Sequence, residues 1–251
     1  MSFSLIWPTV GVPQKIAAEQ IHVWAWLLDS SLSLSGLEEA RIGLLDATEL
    51  ERYHRFHFAR DRARFAIAHV NVRRILGAYL DRKPEHLVFR TNPFGKPELV
   101  AEAQTRSLHF NLSHSRNIAL LAVSTDTELG IDIEDLRPIE PEVAESHFSP
   151  TELAALSSLE GEAWLNGFYH CWTRKEAILK AEGVGLNLPL YSFDVSLIPG
   201  VPAKLLGVRP PAVFRRPWTI HNLATPSGTV AALAAGSLQA KVLCFRFGDG
   251  P

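Results

Sequence analysis

The chain has 251 residues, 47% hydrophobic and 21% charged, with a formal net charge of −2. These are the proportions of an ordinary globular protein, so they exclude a disordered or fibrous chain, and the near-neutral balance argues against a general nucleic-acid coat. The length suits one large domain or two lobes of about 100–150 residues, each able to bury a core.

In chain order, Ile21–Leu27 alternates apolar residues around tryptophans and reads as a strand. Ser35 with Glu38, and Thr48 with Glu51, fit a capping box, which predicts helix starts there. From Asp61 to Leu80 the residues Phe65, Ile67, Ala68, Val72, Ile75, Leu76 and Tyr79 make a helical apolar stripe, with arginines filling the rest. Leu87–Thr91 is a short strand, and Asn92-Pro93-Phe94-Gly95-Lys96-Pro97 is a turn by composition. Leu108–Leu112, Ala119–Ser124 and Gly130–Glu134 read as three successive strands. Ser149-Pro150-Thr151-Glu152 is a helix start with proline in the first turn. A longer helix is expected from Ala163 to Glu182, stopped by Gly183. Strands then follow at Phe193–Leu197, Ala203–Gly207, Trp218–Leu223, Thr229–Ala235 and Val242–Phe247. Strands, helices, strands, helices, strands predict two α+β lobes, divided as residues 1–127 and 128–251.

Cys171 and Cys244 form no Cys-x-x-Cys pair, so neither a disulfide scaffold nor a zinc knuckle is expected, and a reducing, cytoplasmic setting fits best. No run approaches the roughly 18 apolar residues of a membrane span. Met1–Gly11 lacks the basic start and apolar run of a signal peptide.

Charge is unevenly placed. Residues 51–74 carry seven arginines against two acids, and residues 126–152 carry nine acids against one arginine. A metal-dependent enzyme acting on a phosphate ester needs both kinds of surface. Within the acidic part, Gly130-Ile131-Asp132-Ile133-Glu134 on a strand puts both carboxylates on one face and both isoleucines on the other. Two adjacent carboxylates suit a hard cation such as Mg²⁺, although the solvated face of an edge strand has the same pattern. Trp172, Glu176 and Lys180 recur at i, i+4, i+8 on the long helix; Glu before Lys is also an ordinary helix-stabilising pair. Phe110-Asn111-Leu112-Ser113-His114-Ser115 ends a strand in polar groups that suit phosphate or ribose better than nucleophilic catalysis, because strand neighbours point apart and no Gly-x-Ser-x-Gly elbow is present. A polar surface turn would look alike.

These segments in this order resemble the 4′-phosphopantetheinyl transferases, of the larger, two-lobed type that activates surfactin synthetase. The likeness is carried by Asn111–Ser115, Gly130-Ile131-Asp132-Ile133-Glu134, Phe148-Ser149 with Glu152, Trp172-Thr173-Arg174-Lys175-Glu176-Ala177 ending at Lys180, and Gly185-Leu186 with Pro189-Leu190 and Phe193. Gly95-Lys96-Pro97 and Arg64 match as well. The resemblance implies two similar α+β lobes related by a pseudo-twofold axis, with coenzyme A in the cleft between them. It implies transfer of the 4′-phosphopantetheine arm of coenzyme A to a serine of an apo acyl or peptidyl carrier protein, with adenosine 3′,5′-bisphosphate as the other product. It also implies a cytoplasmic monomer that engages neither nucleic acid nor membrane.

Carried over residue by residue, Asp132, Glu134 and Glu176 resemble the Mg²⁺ ligands. Lys180 would reach the pyrophosphate, and Glu176 is the expected base for the serine proton, with Glu152 as its rival. Arg64, His114 and Arg52 would hold the 3′-phosphate, Gly95-Lys96-Pro97 would lie against the adenine, and Ser113 would touch a phosphate or ribose oxygen. Position 49 is a glutamate where relatives often carry a lysine for the 3′-phosphate, with Arg52 and Arg55 placed to compensate.

Overall fold

The computed structural model describes residues 7–10, 15–28, 42–100 and 108–248. Two sheets form four layers with the long helices. The first sheet has the order β1-β12-β2-β6-β5, from Thr9–Val10 (β1), Gln20–Leu27 (β2), His109–Ser115 (β5), Ile118–Ser124 (β6) and Lys241–Phe247 (β12). The second has the order β10-β11-β7, from Leu129–Asp135 (β7), Thr219–Leu223 (β10) and Thr229–Ala235 (β11). Two short hairpins complete the strands: Phe89–Thr91 (β3) with Pro97–Leu99 (β4), and Phe193–Val195 (β8) with Leu205–Val208 (β9).

Alternation along the strands assigns each face its layer. Ile21, Val23 and Ala25 of β2, Ile118, Leu120 and Ala122 of β6, Ile131 and Ile133 of β7, and Ala231 and Leu233 of β11 meet in one core between the sheets. Trp24 and Trp26, Leu121 and Val123 point the other way, onto Ala68, Val72, Ile75 and Leu76 of the helix Ala59–Leu80 (α2). On the far side, Val230, Ala232 and Ala234 pack on Phe168, Cys171, Ala177, Ile178 and Ala181 of the helix Gly161–Glu182 (α5). The chain is therefore a mixed α+β protein with a 22-residue helix outside each sheet. Sheets covered on both faces give apolar runs as well as alternation, and β6 is buried at every position.

Both long helices end where the sequence says. Asp81 caps α2 and Gly183 caps α5, each left-handed at φ 52° and 69°. Ser149 caps the helix Pro150–Leu156 (α4) in a full capping box with Glu152, as expected. The helix Ala47–Arg55 (α1) begins differently: its cap is Asp46, boxed with Glu49, two residues before the expected Thr48–Glu51 pair. The Ser35–Glu38 box lies outside the described residues. A helix at Pro141–His147 (α3) was not expected; it starts on Glu140 with no side-chain cap, so the usual start signal is missing. β5 runs on to Ser115, which puts Ser113, His114 and Ser115 inside a strand and not in a turn. The last strand, β12, lies parallel between β1 and β2, so the end of the chain completes the first sheet instead of the second. Arg73, expected on the polar side of α2, is fully buried and bonded to Asp46, Glu49 and the carbonyls of Pro84 and Leu87.

One contact sets the spacing of the second half. Gly130 of β7 faces α5 so closely that a Cβ there would overlap the Ala177 carbonyl oxygen and the Ala181 amide nitrogen. A side chain would push backbone against backbone, which cannot yield as a rotamer can. Gly130→Ala is expected to cost about 1–3 kcal/mol by overpacking. Chemical denaturation checks this; a wild-type midpoint would show that α5 can shift freely.

Candidate functional site

On β7, positions 130, 132 and 134 share the face turned to α5. Gly130 brings the helix down, and Asp132 and Glu134 follow it along the strand. On α5, Trp172, Glu176 and Lys180 lie along the half-open side, while Arg174 and Lys175 point into the protein. Trp172 stacks on Phe168 at 5.9 Å and takes the edge of His147, which walls one side of the stripe.

Strand and helix meet at Asp132. This residue is buried, and its Oδ1 accepts from the Lys180 ammonium at 2.6 Å and from the Ser113 hydroxyl at 3.0 Å. Its Oδ2 is buried with no hydrogen-bond partner. Burial outweighs the Lys180 ammonium and pushes the Asp132 carboxyl above its ordinary value. Glu134 accepts from the Ser115 hydroxyl at 3.1 Å, and burial followed by the Asp132 charge raises its carboxyl too. Glu176 is raised by burial, then by Asp132 and, after Lys180 has partly offset them, by Glu134. The three acids feel one another's charge across two elements. Among the described residues, no three His, Cys, Asp or Glu side chains are already gathered around a metal position. In this arrangement the Lys180 ammonium is the cation on Asp132. The donor set still fits a hard divalent ion: all oxygen, three mutually repelling acids, and one orphaned buried oxygen.

A basic group adjoins the acids. His114 reaches solvent on β5 but stands amid dense protein, and burial, then Lys180, His69 and Arg64, hold its imidazole below the ordinary value. Arg64 donates to Asn117 at 2.5 Å. The structure therefore brings Asp132, Glu134, Glu176, Lys180, His114 and Arg64 into one electrostatic neighbourhood. Arg52 is exposed, its guanidinium 5.3 Å from the Phe65 ring, which also packs on His69 and Phe56.

Other expected site residues are already engaged within the protein. Ser113 Oγ donates to Asp132 and accepts from Lys180 Nζ at 3.1 Å and Ile133 N–H at 3.4 Å. A hydroxyl has one proton and two lone pairs, so nothing is left in this arrangement for a phosphate or ribose. Lys96 ends on the carbonyls of Leu129 and Ala181, and burial lowers its ammonium to about 8. Asn92 bonds the Gly183 carbonyl at 2.8 Å, so the turn holding Gly95 and Pro97 is strapped to the ends of β7 and α5. A cavity of about 650 Å³ opens beside it, between Phe94, Lys96, Pro97, His109 and Arg215. Glu49 is buried against Arg73 and His69 at 2.6 and 2.9 Å, so it supports α1 and α2 and does not confront an anion. Glu152, the rival base, is 2% exposed and spent on Lys175 Nζ, Val195 N–H and Ser149 N–H. Sequence reasoning placed Ser115, Arg174 and Lys175 within its motifs but missed their structural roles. Arg174 bonds Ser196 and Asn222, and Lys175 bonds the carbonyls of Leu190 and Phe193.

The raised carboxylates and the closed Glu152 pair predict opposite stability effects. An acid raised on folding binds its proton more readily in the folded state. Its destabilising effect is absent below the ordinary carboxylate value, grows as pH rises through the raised value, and is complete above it. Glu176→Gln is therefore expected to raise Tm at pH 7, with the gain vanishing in acid; a lower Tm at pH 7 would contradict the assignment. Glu152→Ala strands the buried Lys175 ammonium and is expected to cost about 3–5 kcal/mol by chemical denaturation.

The chain is also similar to known proteins. Residues 128–232 match the 4′-phosphopantetheinyl transferase superfamily, and residues 38–126 match the N-terminal family of 4′-phosphopantetheinyl transferases. The chain is 37% identical to the 4′-phosphopantetheinyl transferase HetI of Nostoc sp., over 87% of this chain and 89% of that one. It is 33% identical to the 4′-phosphopantetheinyl transferase Sfp of Bacillus subtilis, over 63% and 69%. It is 30% identical to the human L-aminoadipate-semialdehyde dehydrogenase-phosphopantetheinyl transferase, over 60% and 52%.

Proposed function

Since the chain belongs to the 4′-phosphopantetheinyl transferases, we propose that it moves the 4′-phosphopantetheine arm of coenzyme A onto a serine of an apo acyl or peptidyl carrier protein. The chain is a transferase by family. The donor, the acceptor and Mg²⁺ dependence are our reading of its site. The observation that carries it is the neighbourhood of buried Asp132 with half-buried Glu134 and Glu176, with the Lys180 ammonium on one Asp132 oxygen and the other oxygen unpartnered.

In this reading coenzyme A lies in a cleft between the two halves. The similar build of the halves, each with a 22-residue helix on the outside of a sheet, supports a pseudo-twofold relation. Arg64, with Arg52 nearby, presents positive charge to the 3′-phosphate, and His114 offers it a ring N–H donor. The main chain of Gly95-Lys96-Pro97 offers a flat surface to the adenine. Lys180 moves from Asp132 toward the diphosphate and stabilises charge on the leaving oxygen. Asp132, Glu134 and Glu176 would hold Mg²⁺, which when bound neutralises negative charge on the diphosphate.

Glu176 takes the proton. It stands on the half-open side of α5 beside the acids of β7, where an incoming serine hydroxyl could reach it. The serine oxygen forms a bond to the phosphorus that bears the pantetheine arm. The bond from that phosphorus to the diphosphate bridge breaks, and its electron pair leaves on adenosine 3′,5′-bisphosphate. The protein then acts as a monomer in the cytoplasm, without nucleic acid. No described helix is long and apolar enough to cross a membrane.

The reading predicts that coenzyme A and Mg²⁺ add one phosphopantetheine mass to at least one of a panel of apo carriers, and that a chelator stops the gain. Asp132→Ala is expected to keep its circular dichroism and lose turnover. No gain across the panel, or a gain indifferent to chelator, would overturn it. Adenosine bisphosphate released with no carrier modified would indicate hydrolysis instead.

A further inference from the structure

We propose that Asn111, Ser113 and Ser115 form a side-chain rail that fixes β7 against β5 and aims the Asp132 and Glu134 carboxylates. These two strands belong to different sheets, and no main-chain ladder joins them. They nevertheless run side by side. The Asn111 side-chain carbonyl accepts from Ile131 N–H at 2.8 Å, Ser113 Oγ from Ile133 N–H at 3.4 Å, and Ser115 Oγ from Asp135 N–H at 3.1 Å. Each pair is separated by 20 positions, so the strands are parallel and in constant register.

The need for the rail follows from strand geometry. β7 pairs with β11 on one side only. Alternate N–H groups point away from that partner and would be left as buried, unpaired donors at a sheet edge. Every second residue of β5 supplies one acceptor to every second residue of β7. The three side chains lie on the face of β5 whose β6 neighbours, Ala122, Leu120 and Ile118, belong to the core between the sheets. Asn111 and Ser113 are buried there, at positions where an apolar residue would ordinarily stand.

The same hydroxyls do a second job. Ser113 Oγ donates a hydrogen bond to Asp132 and Ser115 Oγ to Glu134, at 3.0 and 3.1 Å. One short side chain thus ties a strand amide and the neighbouring carboxylate together. A carboxylate whose lone pair is held in this way has less freedom to turn from a cation, which is how groups behind metal ligands tune a site. Ser113 and Ser115 are positioning residues; they act through the acids. This inference rests on the proposed function only for what the carboxylates hold. The rail itself concerns β5 and β7.

Amide exchange by NMR tests it. In Ser115→Ala the Asp135 amide is expected to exchange about tenfold faster, while the Ile131 amide, held by Asn111, keeps its wild-type rate. The Mg²⁺ concentration for half-maximal thermal stabilisation, measured with coenzyme A present, is expected to rise about tenfold. Ser115→Thr keeps the hydroxyl and is expected to restore both. An Asp135 amide at the wild-type rate in Ser115→Ala, or equal acceleration throughout β7 and β11, overturns the rail. An unchanged Mg²⁺ midpoint overturns the aiming role. Failure of carrier modification bears on the proposed reaction and leaves the exchange result to decide the rail.

Discussion

A helix backbone touching a strand backbone is the constraint on which this site depends. Gly130 has no side chain, so α5 settles onto β7 at the Ala177 and Ala181 peptides. Two residues further along the strand, the gap is closed by an ammonium on a carboxylate, Lys180 on Asp132 at 2.6 Å. Were the helix held off by even a methyl group, Glu176 and Lys180 would withdraw from the acids of the strand together. The apolar core between the sheets holds β7 from its other face, through Ile131 and Ile133. Strand position is thus fixed by packing on one face and by a peptide contact on the other, and charged groups are concentrated where neither can yield.

The helix sorts three consecutive charged residues by direction alone. Successive side chains on α5 are turned about a quarter of a circle. Arg174 and Lys175 end in fully buried places, where carbonyl oxygens and Glu152 satisfy every direction they face. Glu176 emerges on the half-open side with no counter-charge of its own. Burying the first two costs desolvation but fixes the roll of the helix, because Lys175 has its carboxylate only at Glu152 and Arg174 has its neutral oxygen acceptors only at Ser196 and Asn222. That roll presents Glu176 and Lys180 to β7. The residues that resemble the family's signature therefore divide between support and site, and only their partners reveal which is which.

Much of this was legible in the sequence, for reasons that can be named. Gly130-Ile131-Asp132-Ile133-Glu134 was readable because a strand alternates strictly: two isoleucines on one face must be core, and two acids on the other must be elsewhere. α5 was readable from its spacing and from Gly183, which takes the left-handed cap. What escaped depended on distant partners. Arg73 looked like one more surface arginine, because its burial is decided by Asp46 and Glu49 on another helix. The place of β12 could not be read, since its parallel pairing with β2 joins the two ends of the chain. Ser113 and Ser115 looked like polar groups for a phosphate or ribose, because their partners are main-chain amides of a strand 20 residues away. Short polar residues recurring at every second position of β5, at 111, 113 and 115, were the available signal.

The claim beneath the whole account is that Asp132, Glu134 and Glu176 close on one divalent ion when substrate is present. The direct measurement is anomalous diffraction from crystals grown with Mn²⁺, a stand-in for Mg²⁺, and coenzyme A. The account predicts one anomalous peak at about 2.1 Å from an oxygen of each of the three carboxylates, with Lys180 withdrawn from Asp132. A peak bound by only one of them, or lying away from all three while Lys180 stays on Asp132, would contradict it.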